Sequence, residues 1–296
     1  MLRFAAMRGL KKRDKVRTKL ERPVGILHVR RSEAVDRVTR YWPSPDLEQL
    51  VEHYWVVRWD LTEPRIAETV PIASVHMVLE AGQSRIYGVM RERFSRVLTG
   101  RGRVLGTRFR PGAFRSLVNS PISSFTDRRL PLTDVFGPRA AMLGERALRH
   151  PDDRDAIAVV ERFLLSCHPS VDGDMILAGR VAARIANHRS VTRVAQLAND
   201  FGISQRGLQR LFKEYVGVSP KWVIQRYRLL DAADRVATGH IFDWADLALQ
   251  LGYADQAHFI REFKKLVGRP PAEYAGSLAA PRGQRVRRRG ANPTSG

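Results

Sequence analysis

The sequence repeats itself once near its C-terminus, with a period of about fifty residues. Residues 191–222 and 241–274 align at an offset of 50 up to a shared glycine, and at an offset of 51 after it. The matched pairs are Ala195 and Ala245, Leu197 and Leu247, Ala198 and Ala248, Gly202 and Gly252, Leu208 and Phe259, Arg210 and Arg261, Phe212 and Phe263, Lys213 and Lys264, Gly217 and Gly268, and Pro220 and Pro271. A repeat of this kind predicts two copies of one small structural unit.

Each copy has the pattern of a helix, a tight turn and a second helix. Gly202 favours the left-handed backbone conformation that ends the first helix, and Ser204 is a preferred residue type for capping the second. Asp255 takes the place of that serine in the second copy. The two copies are joined by residues 219–237, which begin with serine and proline in the order of an N-cap and a first helical residue. The sequence therefore predicts two helix-turn-helix units joined by one long helix.

The second helix of the first copy, over residues 205–215, has one apolar and one polar face. The apolar face comprises Leu208, Leu211, Phe212 and Tyr215. Arg206, Gln209 and Arg210 lie together on the opposite side, because residues three and four apart are neighbours on a helix. Arginine and glutamine near a helix N-terminus are suited to hydrogen-bond guanine and adenine edges in the major groove of DNA. These three residues are therefore candidate base-reading residues.

The equivalent face of the second copy carries Gln256, Ala257, Ile260 and Arg261. Two polar positions have become apolar, so we expect this helix to read fewer bases, through thymine methyl groups and one purine. Gln256 and Arg261 are its polar candidates. An ordinary helical bundle with a solvated charged face would explain a single copy, but the tandem arrangement disfavours that alternative.

Residues 175–274 resemble the DNA-binding domain of the AraC/XylS family. The resemblance rests on the turn at each glycine, the R-x-F sequence in each second helix and the G-x-x-P sequence that closes each copy. It implies that two helix-turn-helix units enter successive major grooves on one side of double-stranded DNA. The family's base-contacting positions map onto Arg206, Gln209, Arg210, Gln256 and Arg261. The isoleucine that replaces the glutamine in the second copy departs from the pattern and weakens the specificity expected there.

The sequence upstream of the repeat is predicted to be rich in strands. The runs HYWVVRW, SVHMVLE, SRIYGVM and GRVLGTRFR are rich in valine, isoleucine and aromatic residues and are separated by proline, glycine and serine. A cupin-like barrel is one arrangement for such strands. After Gly137 the periodicity becomes helical, and Pro151 separates two predicted helices. The region 41–165 is also similar to a sensor-like domain of uncharacterised AraC-type regulators. We therefore predict an α+β fold: a β-rich domain with a helical pair, then an all-α domain.

We expect five regions along the chain. They are a flexible basic extension (1–40), a β-rich sensor-like or dimerisation domain (41–168), a linker (169–174), the double helix-turn-helix domain (175–274) and a basic disordered tail (275–296). The net charge is +21, of which the two terminal regions hold +9 and +5. Such tails attract phosphates without sequence preference, although tails that are merely solvated have the same composition.

The predicted strands also carry candidates for a ligand pocket. Arg108 and Arg110 alternate with a phenylalanine on one strand, so both arginines project from one face. Together with His53 and His76 from other strands, they are candidates for binding an anionic small-molecule effector. Histidines hydrogen-bonded in the core, and arginines that are solvated or ion-paired, are the alternatives.

Patterns for other chemistry are missing from the sequence. Cys167 is the only cysteine, so we expect neither an intrachain disulfide framework nor a thiolate-rich metal site, which fits a reducing cytoplasm. The histidines show no H-x-H or H-E-x-x-H pair, and TGRGRVLG lacks the sequence of a nucleotide-binding loop. We therefore assign no metal, no cofactor and no catalytic residue. No apolar stretch approaches the roughly 18 residues of a membrane span.

Together these patterns predict a sequence-specific transcription regulator of the bacterial cytoplasm, associated with the nucleoid, with activation favoured over repression. The expected partners are double-stranded DNA, RNA polymerase and an unidentified small-molecule effector. A homodimer is also expected, through apolar stripes such as Ala156, Ile157 and Val160 on the second helix of the pair. The alternative is that these stripes are intramolecular core. A β-rich enzyme fused to a DNA-binding module, and an architectural protein without sequence preference, are the other function classes.

Overall fold

The computed structural model describes residues 38–188, 190–237 and 243–278, which form a β-rich part followed by a helical part. Nearly all of the two predicted basic terminal regions lies outside these residues. The strands are β1 (Thr39–Tyr41), β2 (Val51–Thr69), β3 (His76–Leu79), β4 (Arg85–Tyr87), β5 (Phe94–Phe109) and β6 (Arg129–Pro131). The helices are α1 (Leu132–Phe136), α2 (Leu143–Leu148), α3 (Asp153–Ser166), α4 (Gly173–Asn187), α5 (Val194–Asp200), α6 (Gln205–Tyr215), α7 (Pro220–Ala237), α8 (Trp244–Gln250), α9 (Gln256–Val267) and α10 (Pro271–Leu278). The predicted α+β fold class is confirmed.

The described strands form one antiparallel sheet in the order β1-β2-β5-β3-β4-β6. β2 and β5 are the longest of them and pair along nearly their whole length, with an irregularity between Leu61 and Arg65. Within the described part of the chain, β1 and β6 lie at opposite edges and do not pair with each other. The sheet is therefore open, and the cupin-like barrel considered from the sequence is not closed.

The two faces of the sheet are buried to different extents, because successive side chains along a strand point to opposite faces. Tyr54, Met77 and Leu105 are fully buried in the main hydrophobic core, which they share with helices. On the other face, Trp59, Leu98 and Val104 form a smaller cluster. The main core therefore lies between the sheet and the helices that follow it in the chain.

The helical pair α2 and α3 packs into the main core. Ala156, Ile157 and Val160 of α3 are buried there, as are Leu143 and Ala147 of α2. The apolar stripes that suggested a dimer surface are thus intramolecular core in this structure. Their side chains are not available to a second chain.

A short connection after the end of α3 at Ser166 leads to α4, the first helix of the helical part. Asp172 caps α4, its carboxylate accepting a hydrogen bond from the Met175 backbone N–H at 2.6 Å. The long helix α7 starts as predicted, with the Ser219 hydroxyl accepting a hydrogen bond from the Trp222 N–H at 3.2 Å. Among the described residues, no helix is both long and apolar enough to cross a membrane.

Candidate nucleic-acid interface

The two copies of the sequence repeat fold into equivalent helix pairs. α5 and α6 form the first pair, and α8 and α9 form the second. Between the helices of each pair, Gly202 and Gly252 have φ angles of 63° and 66°, a left-handed conformation that suits glycine. The two predicted helix-turn-helix units are therefore present, and α7 joins them.

The second helix of each unit begins at the predicted cap. The Ser204 hydroxyl accepts a hydrogen bond from the Gly207 backbone N–H at 3.0 Å. The Asp255 carboxylate accepts one from the His258 N–H at 2.7 Å. Each cap satisfies an N–H group that has no partner within the helix, so both helix starts are fixed where the turn ends.

Apolar side chains fix the rotation of these helices about their axes. Leu208 and Phe212 of α6 are fully buried, and so are Phe259 and Phe263 of α9. Burying side chains of this size is worth roughly 1.5–3 kcal/mol each. The opposite face of each helix is consequently turned to solvent.

The exposed face of α6 carries the three predicted base-reading residues. Arg206, Gln209 and Arg210 are all solvent-exposed, and Lys213, one turn further along, is exposed as well. Three cations and one amide therefore lie along one face. This arrangement suits an anionic, hydrogen-bonding surface such as the major groove and its flanking phosphates.

The exposed face of α9 is less polar. Gln256, Ala257 and Arg261 are exposed, whereas Ile260 is partly buried against the apolar cluster of this unit. Lys264 continues the face toward the C-terminus of the helix and is exposed. The two units therefore differ in the number of polar groups they present, as their sequences predicted.

Sequence reasoning did not identify Lys213 and Lys264 as candidate contact residues. Lys213 follows Arg210 by three residues, and Lys264 follows Arg261 by three, so each lysine lies on the same helix face as that arginine. Both are exposed, and the repeat aligns them with each other. That alignment was the signal that could have found them.

The second half of α6 packs against other parts of the chain. Glu214 forms an ion pair with Arg115 at 2.8 Å, and the Tyr215 hydroxyl donates to the Asp172 carboxylate at 3.0 Å. The candidate base-reading residues Arg206, Gln209 and Arg210 precede Glu214 and Tyr215 in the helix and are exposed. Two polar contacts therefore bind the C-terminal end of the helix, and the exposed face that carries the candidates is left uncovered.

The structure brings together three of the four residues proposed for an effector pocket. In the sheet register, Arg108 of β5 lies opposite His53 of β2 on one side and His76 of β3 on the other. Arg110 is not part of this row, because it is exposed and donates to the Glu48 carbonyl at 2.6 Å. We refer to His53, Arg108 and His76 as the histidine–arginine row.

Arg108 is already engaged by neighbouring groups. Its Nε lies 3.0 Å from a Glu52 carboxylate oxygen and 3.3 Å from the Ser74 hydroxyl. Burial raises the pKa of Tyr227 in α7, and its interaction with Arg108 opposes that rise. The histidine–arginine row thus lies where the sheet meets α7. The ion-paired alternative describes Arg108 in this structure.

Both histidines of this row are neutral at physiological pH. Burial lowers the pKa of His53 to about 3, assisted by the nearby Arg108 and Arg40 guanidinium groups. Burial likewise lowers the pKa of His76 to about 3, assisted by Arg108 and His53. Protonating either imidazole would place a second positive charge beside a buried arginine.

No candidate metal site is found in the described residues, where no group of three or more histidine, cysteine or acidic side chains is suitably arranged. A cleft of about 520 Å³ lies away from the histidine–arginine row. It is lined by Arg58, Trp59, Asp60, Arg101, Gly102, Arg103 and Pro151. Arg58 and Arg103 are both bound there by Asp153, each at 2.6 Å.

Comparison with known proteins divides the chain into two matched regions. Residues 39–131 match a family model described as a domain of unknown function, DUF6597, and residues 197–277 match a model described as a helix-turn-helix domain. Over 82 residues the chain is 34% identical to the probable transcription factor PqrA of Proteus vulgaris, covering 28% of this chain and 66% of PqrA. Over 90 residues it is 32% identical to a putative AraC-like transcription regulator of Streptomyces lividans, covering 29% of each protein.

These matches cover only part of each protein. The chain spans just under two thirds of the length of PqrA and less than a third of the Streptomyces lividans regulator. Among solved structures, ToxT from Vibrio cholerae O395 matches with a TM-score of 0.36 at 15% identity, covering 78% of this chain and 99% of ToxT.

Proposed function

Since this chain carries a helix-turn-helix DNA-binding domain of the AraC/XylS type behind a DUF6597 domain, we propose that it is a sequence-specific regulator of transcription. The observation that carries the proposal is the shared design of α6 and α9. Each is capped at its start, buried on one side and exposed on the side that bears its arginine. We call α6 and α9 the recognition helices, and propose that they enter two successive major grooves.

The exposed side chains suit different roles at the bases. Arg210 has the geometry for two hydrogen bonds to a guanine, and Gln209 for two to an adenine. Arg206 supplies a second arginine on α6, while Arg261 is the arginine of α9, assisted by Gln256. We therefore propose that α6 supplies most of the sequence preference. Exposed Ala257 suits contact with a thymine methyl group.

The proposal is tested by substituting Arg210. The full-length protein first selects its preferred duplex from a random pool, and the dissociation constants for that duplex and for a random duplex are then measured. Arg210→Ala should cost about 1–3 kcal/mol on the selected duplex and little on the random one, because base contacts are specific and phosphate contacts are not. Arg162→Ala is the matched control, since Arg162 is an exposed arginine on α3.

Two outcomes would contradict the proposal. Equal losses on the selected and the random duplex would assign Arg210 to a phosphate. Failure to select any duplex over random DNA would contradict sequence-specific regulation and favour the architectural alternative.

The relatives named above are a probable transcription factor and a putative transcription regulator, in agreement with the prediction that this chain is a regulator rather than an enzyme. Activation through RNA polymerase, control by a small-molecule effector and homodimerisation stay predictions. For an anionic effector at the histidine–arginine row, Glu52 is the competitor, because it already holds Arg108.

A further inference from the structure

The first helix-turn-helix unit shares one hydrophobic core with the N-terminal part of the chain, residues 38–168. Leu208 and Phe212 of α6 lie in the same buried cluster as Phe114 and Ile122. Side chains in a shared core of this kind are close-packed. The first unit is therefore fixed to the N-terminal part by close packing.

The second unit has a separate core. Its buried residues come from the C-terminal half of α7 and from α8, α9 and α10, for example Leu229, Phe259 and Phe263. Among the described residues, Val70 is the one residue of the N-terminal part that is buried in this cluster. The second unit is therefore connected to the N-terminal part mainly through α7 and through contacts that do not belong to a common hydrophobic core.

Those contacts come from the loop of residues 88–93. Nη1 of Arg93 donates to the Glu68 carboxylate at 3.1 Å and to the Val267 carbonyl, at the last residue of α9, at 3.3 Å. Its guanidinium lies against Gly268, where any side chain would clash with it. The C-terminal end of the second recognition helix is thus bound directly by the N-terminal part.

The same loop also binds α7. Nη2 of Arg226, a buried residue of α7, donates to the Arg91 carbonyl at 2.7 Å. The Arg226 guanidinium lies over the Trp222 ring, 4.7 Å from its centroid. The loop therefore contacts α7 through Arg91 and α9 through Arg93, two residues further along the chain.

A second loop, residues 122–127, makes the equivalent contact with the first unit. The Thr126 hydroxyl donates to the Gly217 carbonyl at 2.6 Å. A Cβ at Gly217 would lie 2.9 Å from the Ile122 carbonyl oxygen, so the backbone approaches closely there. Gly217 and Gly268 are partners in the sequence repeat. The N-terminal part thus contacts both recognition helices at the same point, just after their C-terminal ends.

Asp127 ties the two loops together. Its carboxylate accepts from the Arg91 backbone N–H at 2.7 Å and from the Arg91 Nε at 2.6 Å. Its own N–H donates to the Val89 carbonyl at 3.1 Å. The two loops are therefore linked by three hydrogen bonds at one residue, whose φ is 58°.

We propose that Arg93 and Asp127 are positioning residues that fix the second recognition helix relative to the first, and so set the half-site spacing that the protein accepts. The second half of this statement rests on the proposed function. The competing explanation is that α7 alone fixes the geometry, since it is one continuous helix of 18 residues that contributes to both cores.

The geometry is tested by a distance measurement without DNA. In a Cys167→Ser background, Lys213→Cys and Lys264→Cys place spin labels at equivalent exposed sites on the recognition helices, and pulsed electron paramagnetic resonance gives the distance distribution. Arg93→Ala should shift and broaden it. Arg101→Ala should leave it unchanged, because Arg101 is an exposed arginine of β5 away from these contacts.

Asp127→Asn provides a second variant, because asparagine tolerates a positive φ while losing the charge that binds Arg91. It should broaden the same distribution. Thermal melts show which of the two variants is folded at the temperature of the distance measurement. One folded variant is enough for the test. A folded Arg93→Ala or Asp127→Asn protein with the unaltered distribution would overturn the proposal in favour of α7.

The effect on spacing is measured on the selected duplex and on versions with one to four base pairs inserted between its halves. The parent protein should lose about tenfold or more in affinity on insertion, since the contacts of one helix are lost. The Arg93→Ala variant should lose clearly less affinity than the parent protein on the same insertions. Equal losses would overturn the spacing role. Absence of any selected duplex would count against the proposed function, whereas the distance measurement would still decide the positioning role.

Discussion

The histidine–arginine row predicts that this protein loses stability in mild acid. His53 and His76 flank Arg108, with Arg40, Glu52 and Tyr227 as the other ionisable groups around them. Replacing each histidine by glutamine keeps a polar side chain of similar length but removes the titration. The double variant His53→Gln/His76→Gln should therefore be less sensitive to acid than the parent protein.

The size of the effect follows from the pKa values of the two histidines. In the folded protein both pKa values are about 3, against an ordinary value of 6.5 in the unfolded chain. The unfolded state therefore binds protons between pH 6.5 and 3 while the folded state does not, so stability is full above pH 6.5 and falls below it. Between pH 7.5 and 5 each histidine should cost about 2 kcal/mol. The pair together would remove a large part of the roughly 5–15 kcal/mol that stabilises a typical domain.

The free energy of unfolding is measured by urea denaturation at several pH values from 7.5 to 5. Tryptophan fluorescence follows the unfolding, and the ring centroid of Trp55, one of the five tryptophans, lies 6.4 Å from that of His76. Carboxylates also titrate, but they are common to both proteins, so the difference in slope isolates the two histidines. His188→Gln is the matched control, since His188 is an exposed histidine at the end of α4.

Equal pH slopes in the parent protein and the double variant would refute this reasoning. They would mean that the imidazoles accept protons in the folded state without cost, as solvated side chains do. An equally large change in slope for the His188→Gln control would refute it too, because that residue is not buried.

Two further predictions concern local interactions. Ser204→Ala and Asp255→Ala each remove a helix cap and should lower stability by about 1 kcal/mol, measured by thermal or urea denaturation; no loss in either variant would show that the helix ends are fixed by packing alone. Asp153→Asn should lower it by about 3 kcal/mol, because Arg58 and Arg103 share that buried carboxylate. A loss well below 1 kcal/mol for Asp153→Asn would contradict a structural role for this ion cluster.

Local signals made the helix-turn-helix units predictable from the sequence. The turn at Gly202, the cap at Ser204 and the apolar spacing of Leu208 and Phe212 all act within a few residues, so their effects can be recognised without knowing the fold. Once the buried apolar face of α6 is identified, the opposite face is the one left exposed. That part of the candidate site was therefore within reach of sequence reasoning.

The full length of the central strands was not predictable in the same way. The sequence predicted strands over HYWVVRW and GRVLGTRFR, but β2 continues to Thr69 and β5 begins at Phe94. Pro64 and several charged residues interrupt the alternating pattern there. The pairing register breaks between Leu61 and Arg65, and such an irregularity accommodates a proline that cannot donate a ladder hydrogen bond. Only pairing with the distant partner strand shows that the strand continues.

The contacts between the two parts of the chain were also missed, because they join residues far apart in sequence. Arg93 binds the Val267 carbonyl and Thr126 binds the Gly217 carbonyl. A carbonyl acceptor leaves no trace in the sequence, since every residue has one. Polar side chains that bind backbone groups across a fold are for this reason harder to predict than capped helices or apolar stripes.

The difference between the two helix-turn-helix units can nevertheless be traced to single positions of the repeat. Val218, buried in the core shared with the N-terminal part, is replaced in the second copy by the exposed Arg269. Glu214, which pairs with Arg115, is replaced by Lys265. These two changes remove an apolar contact and reverse a charge, so the second copy is unsuited to the docking position that the first one occupies. The residues that distinguish how the two units are held therefore lie outside the exposed faces of α6 and α9 that bear Arg210 and Arg261.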